Sequence, residues 1–200
     1  MKGSHTRPAA APVDAISSRV FHGRMRITTG QLEAARGHSV AVRPPSAAYA
    51  PTAVVAALTA LVGDPWQVKA SSLTRDVVDR STTWTALWLT SEHLARVEAR
   101  HADDPDWDGE SHQQQETEPM RCWLRLLTDL RSIDATMTTG PAGLTSSEDG
   151  WVARPHWTLT FTDGATVALP TDETSRPADS VDDFVAAVRT AWTTSLRPTG

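Results

Sequence analysis

Apolar positions along this chain keep mostly helical spacing as far as Pro65, then switch to a period of two, then return to helical spacing at the end. "TTGQLEAARG" offers Thr29 as a cap, a run of good helix formers and Gly37 as a stop, which predicts a short helix. "HSVAVRPP" alternates into Val40 and Val42 before two prolines, the mark of a brief edge strand. "YAPTAVVAALTALVGDPW" predicts a second helix. Thr52 caps it, Val54, Val55, Leu58, Leu61 and Val62 form its stripe, and Gly63 and Pro65 end it.

Beyond Trp66 the chain reads as strands. "WQVKASSLTRDVV" is rich in Val, Ser and Thr and runs into the turn residues "DRS". "TTWTALWLT" puts Trp84, Ala86 and Trp88 on one face and Leu87 and Leu89 on the other. Bulk on both faces places this strand well inside a sheet. "HLARVEARH" carries Leu94, Val97 and Ala99 among charges, as the outward-curving partner of a hairpin. In "MRCWLRLLTDLRSIDATMTT", Cys122, Leu124 and Leu126 alternate with Arg121, Trp123 and Arg125. Within "WTLTFTDGATVALP" a two-residue turn would mix faces. A three-residue loop, Thr162-Asp163-Gly164, instead pairs Phe161 with Ala165, Leu159 with Val167 and Trp157 with Leu169. The closing helix has Ser180 and Asp183 as a capping-box-like pair and a stripe of Val181, Phe184, Val185, Val188 and Trp192.

Composition narrows the partners. Two hundred residues with 40% apolar content suit one domain of ordinary size, or one domain plus a loose tail. Formal net charge is -5, and the only lysines are Lys2 and Lys69. With the arginines scattered singly, neither nucleic acid nor an anionic membrane surface is an expected partner. Cys122 is the single cysteine, so no internal disulfide is possible. The longest strongly apolar run, "AVVAALTALV", spans ten residues from Ala53 to Val62, half of what a bilayer span needs. The expectation is a soluble, cytoplasmic protein without membrane insertion. Residues 1–24, "MKGSHTRPAAAPVDAISSRVFHGR", read as a disordered native arm or an expression leader, with Met25 a candidate natural start.

The order of these segments resembles the bacterial pleckstrin-homology-like (PH-like) domain family over residues about 66–195. "ALWLTSEHLARV" is similar to that family's early strand-turn-strand, "LTDLRSIDA" to its apolar, short-turn, Asp-Ile segment. "WTLTFTDGATVALP" resembles the next hairpin, and "SVDDFVAAVRTAW" the capping helix. The resemblance implies an α+β fold: an antiparallel β-barrel or sandwich of about seven strands, capped by a C-terminal amphipathic helix. It would occupy 66–197, with 25–65 as a helical extension. Many relatives bind inositol phosphates through clustered basic residues on the first hairpin. Here Lys69, Arg75 and Arg80 are spread out, so that activity is not expected, and fold alone does not decide function.

Candidate chemistry is sparse. "DDPDWDG" opens like a calcium loop at Asp104, Asp106 and Asp108, but the twelfth position is Gln115, and Glu116 comes one place late. A hydrophilic loop between strands is the better reading. Trp107 inside it is either a partner-binding anchor or a ring folded back onto the domain, with the second preferred. His93 and His101 would lie about 26 Å apart on one strand, too far to share an ion, and read as exposed strand histidines. Cys122 reads as a buried strand thiol. Neither a serine-nucleophile motif nor a phosphate-cradling glycine loop is present. No catalytic residue, cofactor or metal is assigned. The expected function is a non-enzymatic interaction module that binds a protein partner or itself. The alternative is a ligand-binding protein or enzyme with a pocket between the N-terminal helices and the barrel, near Asp129, Arg131 and Asp134.

Overall fold

The computed structural model describes residues 26–43, 46–109, 119–137, 144–147, 150–153, 155–169 and 178–197. The arm 1–24, Gln115 and Glu116 lie outside them. Helix α1 (Thr29–Gly37) is followed by β1 (Val40–Arg43), β2 (Ser46–Tyr49) and α2 (Thr52–Val62). Four antiparallel strands then form one sheet in chain order: β3 (Ala70–Val78), β4 (Ser81–Leu89), β5 (His93–His101) and β6 (Arg121–Leu126). A second sheet joins β7 (Leu130–Met137), β10 (Pro155–Phe161) and β11 (Thr166–Ala168), with β10 in the middle. The short strands β8 (Leu144–Ser147) and β9 (Gly150–Ala153) pair with each other, as β1 does with β2. Helix α3 (Ala178–Ser195) is the last described element.

The architecture is therefore α+β, with seven strands divided between two antiparallel sheets and a C-terminal helix. It is not a closed barrel: among the described residues no ladder joins the two sheets, and between β6 and β7 the chain runs through a 3-10 turn, Leu127–Asp129. Strand β5 is the hairpin partner of β4. It lies inside the sheet between β4 and β6, with Leu94, Ala95, Val97 and Ala99 buried.

Strand β4 organises the packing because both of its faces are apolar. Trp84, Ala86 and Trp88 face a core with Ala35, Ala50, Val54, Val55 and Leu58 of the N-terminal segment. Leu87 and Leu89 face another core, with Leu159 and Phe161 of the second sheet and Phe184, Val185 and Val188 of α3. The helical extension thus packs against one face of the four-stranded sheet. The β10–β11 hairpin turns through Thr162-Asp163-Gly164 with Leu159 opposite Val167. The Phe161 N–H donates to the Ala165 carbonyl at 2.9 Å, the Leu169 N–H donates to the Trp157 carbonyl at 2.8 Å, and Gly164 takes a φ of +84°. That is the three-residue loop and pairing expected from the face argument.

Three helix starts differ from expectation. Thr28, not Thr29, caps α1: its hydroxyl accepts from the Gln31 N–H, and the Gln31 side chain accepts from the Thr28 N–H. A reciprocal box needs its glutamine three residues past the cap, which selects Thr28. Thr52 is the first helical residue of α2, and Pro51 is its cap position with no side-chain hydrogen bond. Helix α3 starts at Ala178, so Ser180 and Asp183 sit inside it rather than at a cap. Phe184, Val185 and Val188 of its stripe are buried, with Val181 and Trp192 packed at the margin.

Candidate functional site

The acidic stretch is fastened to the sheet by its backbone. Thr82 donates to the Asp104 carbonyl at 2.7 Å, Arg75 to the Pro105 carbonyl at 2.7 Å, and the Trp84 indole to the Trp107 carbonyl at 2.9 Å. Gly109 donates to the Tyr49 carbonyl at 2.7 Å, and a Cβ there would lie 2.7 Å from the Ala50 carbonyl oxygen. Two of the carboxylates serve the turn or face water. Asp104 accepts the Asp106 N–H at 3.0 Å, and the Asp106 side chain, 98% exposed, lies 4.0 Å from Arg75. Among the described residues no group of three or more His, Cys, Asp and Glu could hold a metal ion.

Trp107 is 4% exposed, inside the core that α2 covers, with the His101 ring 5.5 Å from its own. The folded-back reading of this ring agrees with its burial, which leaves little of it to meet a partner. His93 and His101 stand at opposite ends of β5 and are half-buried, not exposed. Asp129, Arg131 and Asp134 are exposed. Asp134 accepts from Ser132 at 2.7 Å on the surface of the second sheet. The interval under α2 is filled by Val54, Val55, Leu58, Trp84 and Trp88.

Cys122 is exposed rather than buried. Register explains why. Cys122 pairs with Val97, Leu124 with Ala95 and Leu126 with His93, so all three side chains lie on the α2 side of the sheet. Strand β6 is the outermost strand there, and α2 covers the face only in part. Leu124 and Leu126 are left 40% and 45% exposed. The sequence pattern displayed the alternation but not which face would be covered. Partial burial still pushes the Cys122 thiol above its ordinary value.

Next to these leucines, the end of α2 and the β4–β5 turn enclose a groove of about 180 Å³, lined by Val62, Gln67, Thr90, Ser91, Glu92, His93 and Leu124. The Thr90 hydroxyl is occupied, accepting from the Glu92 and His93 N–H groups. One carboxylate and one imidazole on an open rim, in a volume below the roughly 300 Å³ of small-molecule pockets, do not make a catalytic constellation. Trp66, adjacent in the chain to Gln67, exposes 64% of its surface.

The outer backbone of β6 follows from two hydrogen bonds. The Leu127 N–H donates to the Glu92 carbonyl at 2.8 Å, and the Thr90 N–H donates to the His93 carbonyl at 2.9 Å. In an antiparallel ladder, hydrogen-bonded pairs alternate with non-bonded ones. Counting from either contact, Arg121, Trp123 and Arg125 bond to β5. The N–H and C=O groups of Cys122, Leu124 and Leu126 therefore point to the free edge. Among the described residues, exposed side chains and backbone groups without a ladder partner belong to the same three residues.

No family model matches this chain, and no match is found among curated proteins or solved structures. Among the described residues no helix is long and apolar enough to cross a membrane.

Proposed function

We propose that this chain is a non-enzymatic interaction module of PH-like architecture, and that it engages a protein through the β6 edge. Seven strands in two sheets followed by an amphipathic helix support the architectural half of this reading. The observation that carries the functional half is the coincidence on β6 of an outward backbone with two exposed leucines. An edge strand with outward backbone groups and exposed apolar side chains is a template for strand addition. Elsewhere Trp84 and Arg75 hold the acidic loop, and Arg125 binds Asp163 at 2.8 Å. A photo-crosslinking residue placed at Leu126 tests the reading. Discrete protein adducts are expected there and none from the same residue at Thr193, an exposed position on α3. Equal labelling at both positions, or none at Leu126, would remove the support for a β6 interface.

A further inference from the structure

Resting on that reading, we infer that the occupant of the β6 edge is a second copy of this chain, paired antiparallel about a two-fold axis through Leu124. Opposed residues of an antiparallel pair share a face, and hydrogen-bonded positions must meet each other. Only residues of like parity can therefore stand opposite, and two alignments keep five of the six strand residues paired. One sets Arg121 against Arg125 of the other copy, twice by symmetry, with Trp123 against itself. Like charges directly opposite destabilise a pair. The other sets Leu124 against Leu124, Cys122 against Leu126, and Trp123 against Arg125. This second alignment opposes no like charges.

It also answers both open requirements of the strand. On the α2 side, the leucines that α2 leaves 40% and 45% exposed gain apolar partners. On the opposite side, Arg125 already lies over the Trp123 ring at 5.5 Å and binds Asp163, so it brings no unpaired cation to the seam. The outward N–H and C=O groups of Cys122, Leu124 and Leu126 become the hydrogen-bonded pairs. The product is a closed two-fold dimer with one continuous eight-stranded sheet, an arrangement in which the same patch serves both partners.

Because Leu124 lies on the axis, single substitutions act on both copies. Leu124→Lys and Leu124→Glu should each weaken self-association in sedimentation velocity about tenfold or more, and an equal mixture of the two should restore it. Leu124 is partly exposed, so thermal melts should show both variants folded. In a Cys122→Ser background, Leu124→Cys should oxidise to a disulfide-linked dimer, since paired Cα atoms stand about 5.5 Å apart. Leu126→Cys in that background should not, because its counterpart lies four residues further along. A wild-type chain that stays monomeric at every attainable concentration overturns the inference, as does a mixture that fails to associate. Preferential crosslinking through Leu126→Cys overturns the register. A monomeric chain whose Leu126 photo-adducts contain a different protein overturns the second copy while leaving the interaction reading standing.

Discussion

The two faces of the four-stranded sheet solve the same burial problem with different residues. The face under α2 alternates large and small: Trp84 and Trp88 stand among Ala86, Ala95 and Ala99, and Trp107 closes from above. The face under α3 is built of leucine, phenylalanine and valine. On the first face both indole N–H groups of β4 reach backbone carbonyls outside the sheet, Trp84 to Trp107 and Trp88 to His38 at 3.3 Å. None of the buried residues of the second face is a tryptophan. An apolar residue of similar volume can replace another apolar residue, but it cannot replace a directed hydrogen bond. The first face fixes where loops and helices attach, and the second supplies burial.

The largest effect expected from this contrast is at Trp84. Trp84→Ala should cost about 3–5 kcal/mol in urea unfolding, the range for truncating a buried aromatic. Trp84→Phe sharpens the point, because it keeps an aromatic ring in the core, removes the donor to Trp107 and loses only part of the volume. Leaving that carbonyl unpaired should cost about 1–3 kcal/mol. Leu87→Met on the other face should cost less than about 1.5 kcal/mol. Equal costs for Trp84→Phe and Leu87→Met would erase the distinction between the faces.

Next in size is Gly109→Ala. Its Cβ would stand 2.7 Å from the Ala50 carbonyl oxygen and 3.0 Å from the Tyr49 Cβ, backbone and near-backbone atoms with little freedom to yield. Destabilisation of about 1–3 kcal/mol is expected, with faster proteolysis of the loop 102–109. Unchanged cleavage would mean the loop is held without the Gly109 contact.

Patterning foretold the second face well and the first only in part. The α3 stripe and the β10–β11 pairing rest on periodicity and on one turn glycine, both local features. The acidic stretch was harder. Its carboxylates dominate its composition, yet what places it is a set of carbonyls receiving Thr82, Arg75 and Trp84, donors 22 to 30 residues away. Long-range donation to backbone leaves no mark in the residue types of the receiving segment. Cys122, Leu124 and Leu126 failed for a related reason: alternation assigns them one face, but only the placement of α2 says that the face is half covered. The extra hairpins, β1–β2 and β8–β9, went unforeseen as pairs because four-residue strands carry too few periods to register.

Smallest are the pH responses, which separate the two regions by where they occur. Burial against Trp88, 6.1 Å from its ring, holds His38 below its ordinary value. Its folded form resists protonation and the unfolded chain binds the proton more readily. Stability is therefore intact above pH about 6.5 and declines as pH falls below it. Asp163, beside the second core, is also lowered, first by the Ala165 N–H and then by Arg125. Its contribution is present above the usual aspartate range near 3.8 and is lost as pH falls through the lower folded value. Asp163 is exposed and His38 is only partly buried, so each slope should be shallow. In thermal melts, His38→Gln should flatten the decline between pH about 6.5 and 5 and leave the lower one. Asp163→Asn should do the reverse. A His38→Gln melt with the wild-type slope in the upper window would show that this ring does not couple the first face to acid.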